Sequence, residues 1–240
     1  MSGRSVGLAR SVTARVALAV ALLPLAGCTT APSDRRVAPS PQIVAGLKEA
    51  LRVAADRSIA QTSRDGGFRD DSKIRLRLPG ALATMCGALE EAGMKGQAGA
   101  LELAMNRAAE RAAGQARAPF HDAIDALEIL EPTAILNGPD DAATSLLRGQ
   151  SGRALHRRLV PVVDDATRQV GLAQAYAQLV GHYRRLDPAA APPTSLAGPM
   201  TTHILDGLFT VLAREERRIR RDPAARPTPL LQSVFGAAKH

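Results

Sequence analysis

Apolar residues recur every three or four positions along most of this chain, a spacing that predicts a helical protein. Ile43, Leu47, Leu51, Ala54 and Ile59 step along one face of a first helix. Ser40 offers an N-cap hydroxyl and Pro41 suits the first helical position, while Gly66-Gly67 closes the unit. The period changes once. Ile74, Leu76 and Leu78 alternate with Lys73, Arg75 and Arg77 before Pro79-Gly80. Alternation is the period of a strand, but no second segment offers a pairing partner. The expectation is an extended connection that buries every second side chain.

Helical spacing then resumes. Residues 81–92 form one expected helix, stopped by Gly93, and residues 98–116 another, with Leu101, Met105, Ala108 and Ala112 as its stripe. Phe120, Ile124 and Leu127 mark a short helix, and Ala134-Ile135-Leu136 a shorter one before Asn137-Gly138. Asp140 or Asp141 is the expected cap of a helix carrying Leu146 and Leu147. A separate stretch over 151–170 carries Leu155, Leu159, Val162 and Ala166, with Pro161 expected to kink or divide it. Gly171 precedes a helix through Leu172, Tyr176, Leu179 and Tyr183, and residues 187–193 read as loop. The last long helix spans about 200–221 and ends at Asp222-Pro223. Leu230, Leu231, Val234 and Phe235 form a terminal turn expected to fold back on the body. The fold class is therefore all-α: a single-domain multi-helix bundle with irregular connections and one short extended segment near 73–79.

The first residues follow another pattern. Arg4, Arg10 and Arg15 precede a short apolar run, Val16 to Leu25, and no acid occurs before Asp34. That is the layout of an export signal, and the run is shorter than the ~20 residues a membrane-spanning helix needs. Leu25-Ala26-Gly27-Cys28 fits the lipobox of a bacterial lipoprotein, which makes Cys28 the expected lipidation site. The expected organisation is a signal peptide over 1–27, a flexible tether over 28–41 and a domain over 42–240. Thr29, not Asp, follows the cysteine, so the expected location is the periplasmic face of a Gram-negative outer membrane.

Composition narrows the function. The chain carries 31 basic and 23 acidic residues, net +8. Loss of the three leader arginines leaves 28 against 23, about +5. The remaining bases are interleaved with acids, so no nucleic-acid partner is expected. There is no Trp, and only two Tyr and four Phe, which argues against a sugar- or base-stacking site. With Cys28 lipidated, Cys86 stands alone and reads as a small buried thiol. The histidines show no paired ligand spacing, no phosphate loop or nucleophile elbow occurs, and no metal or cofactor is expected.

Several segments, in order, resemble the DUF4197 family, exported bacterial proteins of unknown function. They are Gly46-Leu47-Lys48-Glu49-Ala50-Leu51, Met105-Asn106-Arg107-Ala108-Ala109-Glu110, Ile135-Leu136-Asn137-Gly138 with Asp141-Ala142-Ala143-Thr144, and Leu205-Asp206-Gly207-Leu208-Phe209. The last runs on through Glu215-Glu216, Ile219-Arg220 and Asp222 to Arg226, to Val234-Phe235-Gly236. The chain departs from the family's pattern at Ser145-Leu146-Leu147, where an aromatic is expected, and at Gly149-Gln150, where basic residues are. The resemblance implies an all-helical domain and brings no known activity.

Within these segments Asn106, Arg107, Glu110, Asp206, Glu215 and Glu216 form the candidate polar cluster. Asn106 and Glu110 share one side of their helix, opposite Leu101, Met105 and Ala112, and Leu103 lies with them. Glu215 falls on the stripe of Leu208, Leu212 and Ile219, with Arg107 a candidate partner and Glu216 at the edge. The cluster is either an internal network that fixes helix docking or the lining of a ligand cleft. The sequence points to a non-enzymatic binding or envelope-organising domain, its partner an envelope protein. The alternatives are a carrier of an apolar ligand between helices, and an enzyme with a site around Asn106, Glu110 and Glu215.

Overall fold

A computed structural model describes residues 41–192 and 195–236. The lipobox with Cys28, the leader, most of the tether and Ser40 lie outside the described residues. Helices account for 75% of the described residues, and no strand occurs among them. In order they are α1 (Pro41–Thr62), α2 (Gly80–Glu91), α3 (Gln97–Gly114), α4 (Arg117–Asp125), α5 (Pro132–Leu136), α6 (Ala142–Gln169), α7 (Leu172–Leu186), α8 (Ala197–Arg221) and α9 (Pro229–Gly236). A short 3-10 turn, Pro223–Ala225, links α8 to α9.

The apolar stripes explain the packing. α8 lies between α1 and α6 and makes its most extensive contacts with both. It accordingly buries residues around most of its girth, from Gly207 and Val211 to Leu205, Phe209 and Ile219. α3 packs on α6, α7 and α1, and α9 returns to cover α1. With few aromatics, small residues bring helix backbones close. Ala50, Ala54 and Ala55 of α1 and Ala108, Ala109, Ala112 and Ala113 of α3 are all buried. The aromatics fill the spaces between, with Phe120 against Phe209 at 5.4 Å between ring centroids. Glycine is required at two close approaches to side chains of distant elements. A Cβ on Gly207 would lie 2.6 Å from Phe68 Cε1, and one on Gly46 would lie 2.7 Å from Val234 Cγ2.

Residues 72–74 form a turn closed on the Asp71 carbonyl, and the connection without turn or helix covers 75–79 only. Across 73–79 Ile74 and Leu76 are buried, Leu78 is half-buried and Lys73, Arg75 and Arg77 are exposed. The expectation of separate helices over 140–147 and 151–170 is corrected. α6 runs unbroken through Pro161. Leu159 and Val163 on either side of the proline pack fully into the core, while Pro161 and Arg157 face solvent. Water can therefore take the Arg157 carbonyl that the proline leaves without an N–H. Cys86 is buried, and burial pushes its thiol pKa up. No helix among the described residues is long and apolar enough to cross a membrane.

Candidate functional site

The polar residues separate into two assemblies. The first joins α5, α6, α8 and α9. Glu216 and Arg220 stand one turn apart on α8, and both side chains are fully buried. Helix termini leave backbone groups without partners, positive at the start and negative at the end. Glu216 serves the start of α6: its Oε1 accepts from the Ala143 amide at 3.1 Å and its Oε2 from the Thr144 amide at 2.7 Å. Arg220 serves the end of α5, donating to the carbonyls of Leu136 at 2.7 Å and Ile135 at 3.0 Å. The two close on each other through Arg220 Nε and Glu216 Oε1 at 2.9 Å. The guanidinium also lies over the Phe235 ring, 5.6 Å from its centroid. Arg226 completes the assembly by donating to the Ile219 and Arg220 carbonyls that end α8.

This arrangement corrects two expectations. Neither Asp140 nor Asp141 caps α6 with its side chain: Asp141 makes no capping bond, and Asp140 pairs with Arg217 and Arg221. Glu216, not Glu215, is the fully buried glutamate of α8. Glu215 is half-buried beside Arg57, with Oε2 and Nη1 3.5 Å apart, and Arg107 is not its partner.

The second assembly lies along α3. Asn106 accepts from the Leu76 amide at 3.0 Å and donates to the Leu76 carbonyl at 2.8 Å, as a neighbouring strand would. This satisfies the extended segment that has no sheet to join. One turn on, Glu110 Oε1 accepts from the Phe68 and Arg69 amides at 3.2 and 3.3 Å. It fixes the turn that places Phe68 against Gly207. Both side chains are buried. Arg107, between them, is exposed and has no partner among the described residues. Asp206 of α8 is apart from both assemblies and pairs with Arg148 of α6.

Clefts open beside Asn106 and Glu110, beside Asp206 and, apart from both assemblies, along α7. One of about 540 Å³ is lined by Asn106, Arg107, Glu110 and Arg111 of α3 and by Asp65 and Arg69 of the turn. A second, about 380 Å³, lies between α6 and α8 beside Arg148, Phe209 and Asp206. A third, about 430 Å³, is bounded by Leu172, Tyr176 and Val180 of α7, by Leu196, and by Asp164 and Arg184. Among the described residues no group of three or more His, Cys, Asp or Glu is placed to hold a metal ion.

The segments that carried the family resemblance meet at these places. Residues 135–144, 215–220, 226 and 234–236 surround the Glu216–Arg220 pair, and 105–110 hold the turn and the extended segment. A family described as a protein of unknown function, DUF4197, matches residues 38–236. The chain belongs to the DUF4197 family. No curated protein and no solved structure matches it. The sequence of this DUF4197 domain points to Glu216 but not to Arg220 as its partner. A signal was present: Leu205 and Phe209 widen the α8 stripe toward the side where Glu216 and Arg220 stand at helical spacing.

Proposed function

We propose that this DUF4197 domain is a non-enzymatic binding domain of the cell envelope, held by lipid on Cys28 and facing the periplasm from the outer membrane. The observation that carries it is how the candidate polar residues are engaged. Glu216, Asn106 and Glu110 hold backbone groups of their own chain, and Glu215 lies beside Arg57. A general acid or base needs a proton or lone pair within reach of a substrate. These groups are directed instead at amides, carbonyls and guanidinium groups. An enzyme built around Asn106, Glu110 and Glu215 has less support, because no hydrogen bond or ion pair among the described residues links Glu215 to the other two. Carriage of an apolar ligand is favoured only by the Leu172, Tyr176, Val180 and Leu196 wall of one cleft, whose edge carries Asp164 and Arg184.

Two measurements test the proposal. Labelling with a fatty-acid analogue should mark the wild-type chain and not Cys28→Ser; continued labelling of the variant defeats the anchor. Incubation of the protein at catalytic concentration with a periplasmic metabolite extract should deplete nothing, while stoichiometric protein retains a compound. Depletion by sub-stoichiometric protein overturns the non-enzymatic role.

A further inference from the structure

We propose that the cleft between α3 and the turn over residues 63–70 is an anion site that takes a phosphate or carboxylate group on Arg107 and Arg111. It names the ligand class of the binding domain, and it rests on that reading only for why a ligand is bound at all.

The geometry of α3 supplies the first reason. Leu103, Asn106, Arg107, Glu110 and Arg111 all line the cleft, and their spacing of three and four puts them on one helix face. The inner members of that face are used by the fold, since Asn106 and Glu110 bind the backbone of Leu76, Phe68 and Arg69. Arg107 and Arg111 are the outer members and both are exposed. Like charges one helical turn apart repel, and an anion between them removes that repulsion.

The charge inventory supplies the second. Three guanidinium groups and two carboxylates line the cleft. Glu110 faces two amides, and its bond to the Arg69 amide sets where that arginine leaves the turn. Arg111 is bonded to Gln169, a neutral partner that leaves its charge uncompensated. Arg69 is held by Asp70 through both Nε and Nη2, with Asp65 and Glu110 also near it, so its charge is already matched. Arg107 makes no ion pair among the described residues, although Asp65 and Glu110 line the same cleft, and its planar fork suits two oxygens of one phosphate or carboxylate. The volume of about 540 Å³ is that of a small-molecule site. The half-buried Leu103 and Val170 give it an apolar wall for whatever carries the anionic group.

Calorimetric titration of the full-length chain in detergent tests the site with three probes: inorganic phosphate, citrate, and dihexanoyl-phosphatidylglycerol below its micelle concentration. At least one should bind, with affinity that falls as sodium chloride rises. Arg107→Ala should weaken that binding about tenfold or more, as the loss of charge-assisted bonds implies, and Arg107→Lys should recover part of it. Binding of phosphate or citrate assigns a free anion, and binding of the short-chain lipid alone assigns a headgroup. Absence of binding by all three, or binding unchanged in Arg107→Ala, overturns the site. If the protein still retains an extract compound whose retention ignores Arg107→Ala, the cleft assignment fails while the binding-domain proposal stands. Depletion of an extract compound defeats that proposal and leaves the anion site to be judged by the titration.

Discussion

The α5–α6–α8 junction and the α3 cleft are both built from charged side chains, yet only the cleft keeps unpaired charge in contact with solvent. At the junction, Glu216 and Arg220 have no exposed surface, and their polar atoms meet helix-end backbone groups or each other. Along α3, Asn106 and Glu110 are used in the same way, but Arg107 beside them is left over. The difference separates two uses of charge. A buried pair that satisfies helix ends fixes where helices meet. An exposed cation beside a cleft costs the fold little and remains available to a ligand.

The strongest way to break this contrast is to remove one member of the buried pair. Glu216→Ala strands Arg220 and two amides of α6, and loss of one partner from a buried pair typically costs ~3–5 kcal/mol. Glu215→Ala should cost less, because Glu215 and Arg57 are only partly buried. Denaturant midpoints for the two variants check the order, and a larger loss for Glu215→Ala would reverse the roles assigned to them. Next in size is Asn106→Ala. It leaves the Leu76 amide and carbonyl without partners, at ~1–3 kcal/mol for such a loss. Hydrogen exchange at the Leu76 amide should rise in step.

A smaller effect belongs to Asp71, whose carboxyl is held below its ordinary 3.8 by the hydrogen bond from Arg214, which outweighs the effect of burial. A folded pKa below the unfolded one stabilises fully above pH 3.8 and is lost as pH falls through the folded value. Asp71→Asn should therefore cost under ~1 kcal/mol at neutral pH, given the pair's partial exposure, and flatten the loss of stability below about pH 4. Equal acid sensitivity in wild type and variant would remove Asp71 from the cause. The smallest change is expected for Arg107→Ala, within ~0.5 kcal/mol of wild type, as for surface positions without partners. A clear drop in its thermal midpoint would show that the fold needs Arg107 and would erase the contrast.

The helices were legible because their stripes follow a 3.6 period, and the 73–79 connection because its period is two. The site was legible only in part. The sequence picks out Asn106 and Glu110 as polar residues on a central helix, but not their partners, which are backbone amides and carbonyls 30 to 42 positions away. It assigns Glu215 to the core and Glu216 to the edge because the stripe of Leu208, Leu212 and Ile219 is narrow. α8 packs against α1 on one side and α6 on another, so its buried arc is wider and takes in Glu216 and Arg220. The capping of α6 was misplaced for a related reason. The side chains that satisfy a helix end are sought among its sequence neighbours, whereas this one is supplied from 72 positions downstream.

The close approach of Gly46 to Val234 has a consequence for the order in which the chain can fold. α1 emerges from the ribosome or an export channel before the other helices of the domain. The face of α1 carrying Leu47, Ala50 and Leu51 is covered in the finished domain by later helices, α8 and α9 among them. Val234 lies on α9, which follows all the other helices in the described order. The Gly46 face of α1 therefore stays open until α9 has emerged, even where α3, α4 and α5 have already packed on the same helix.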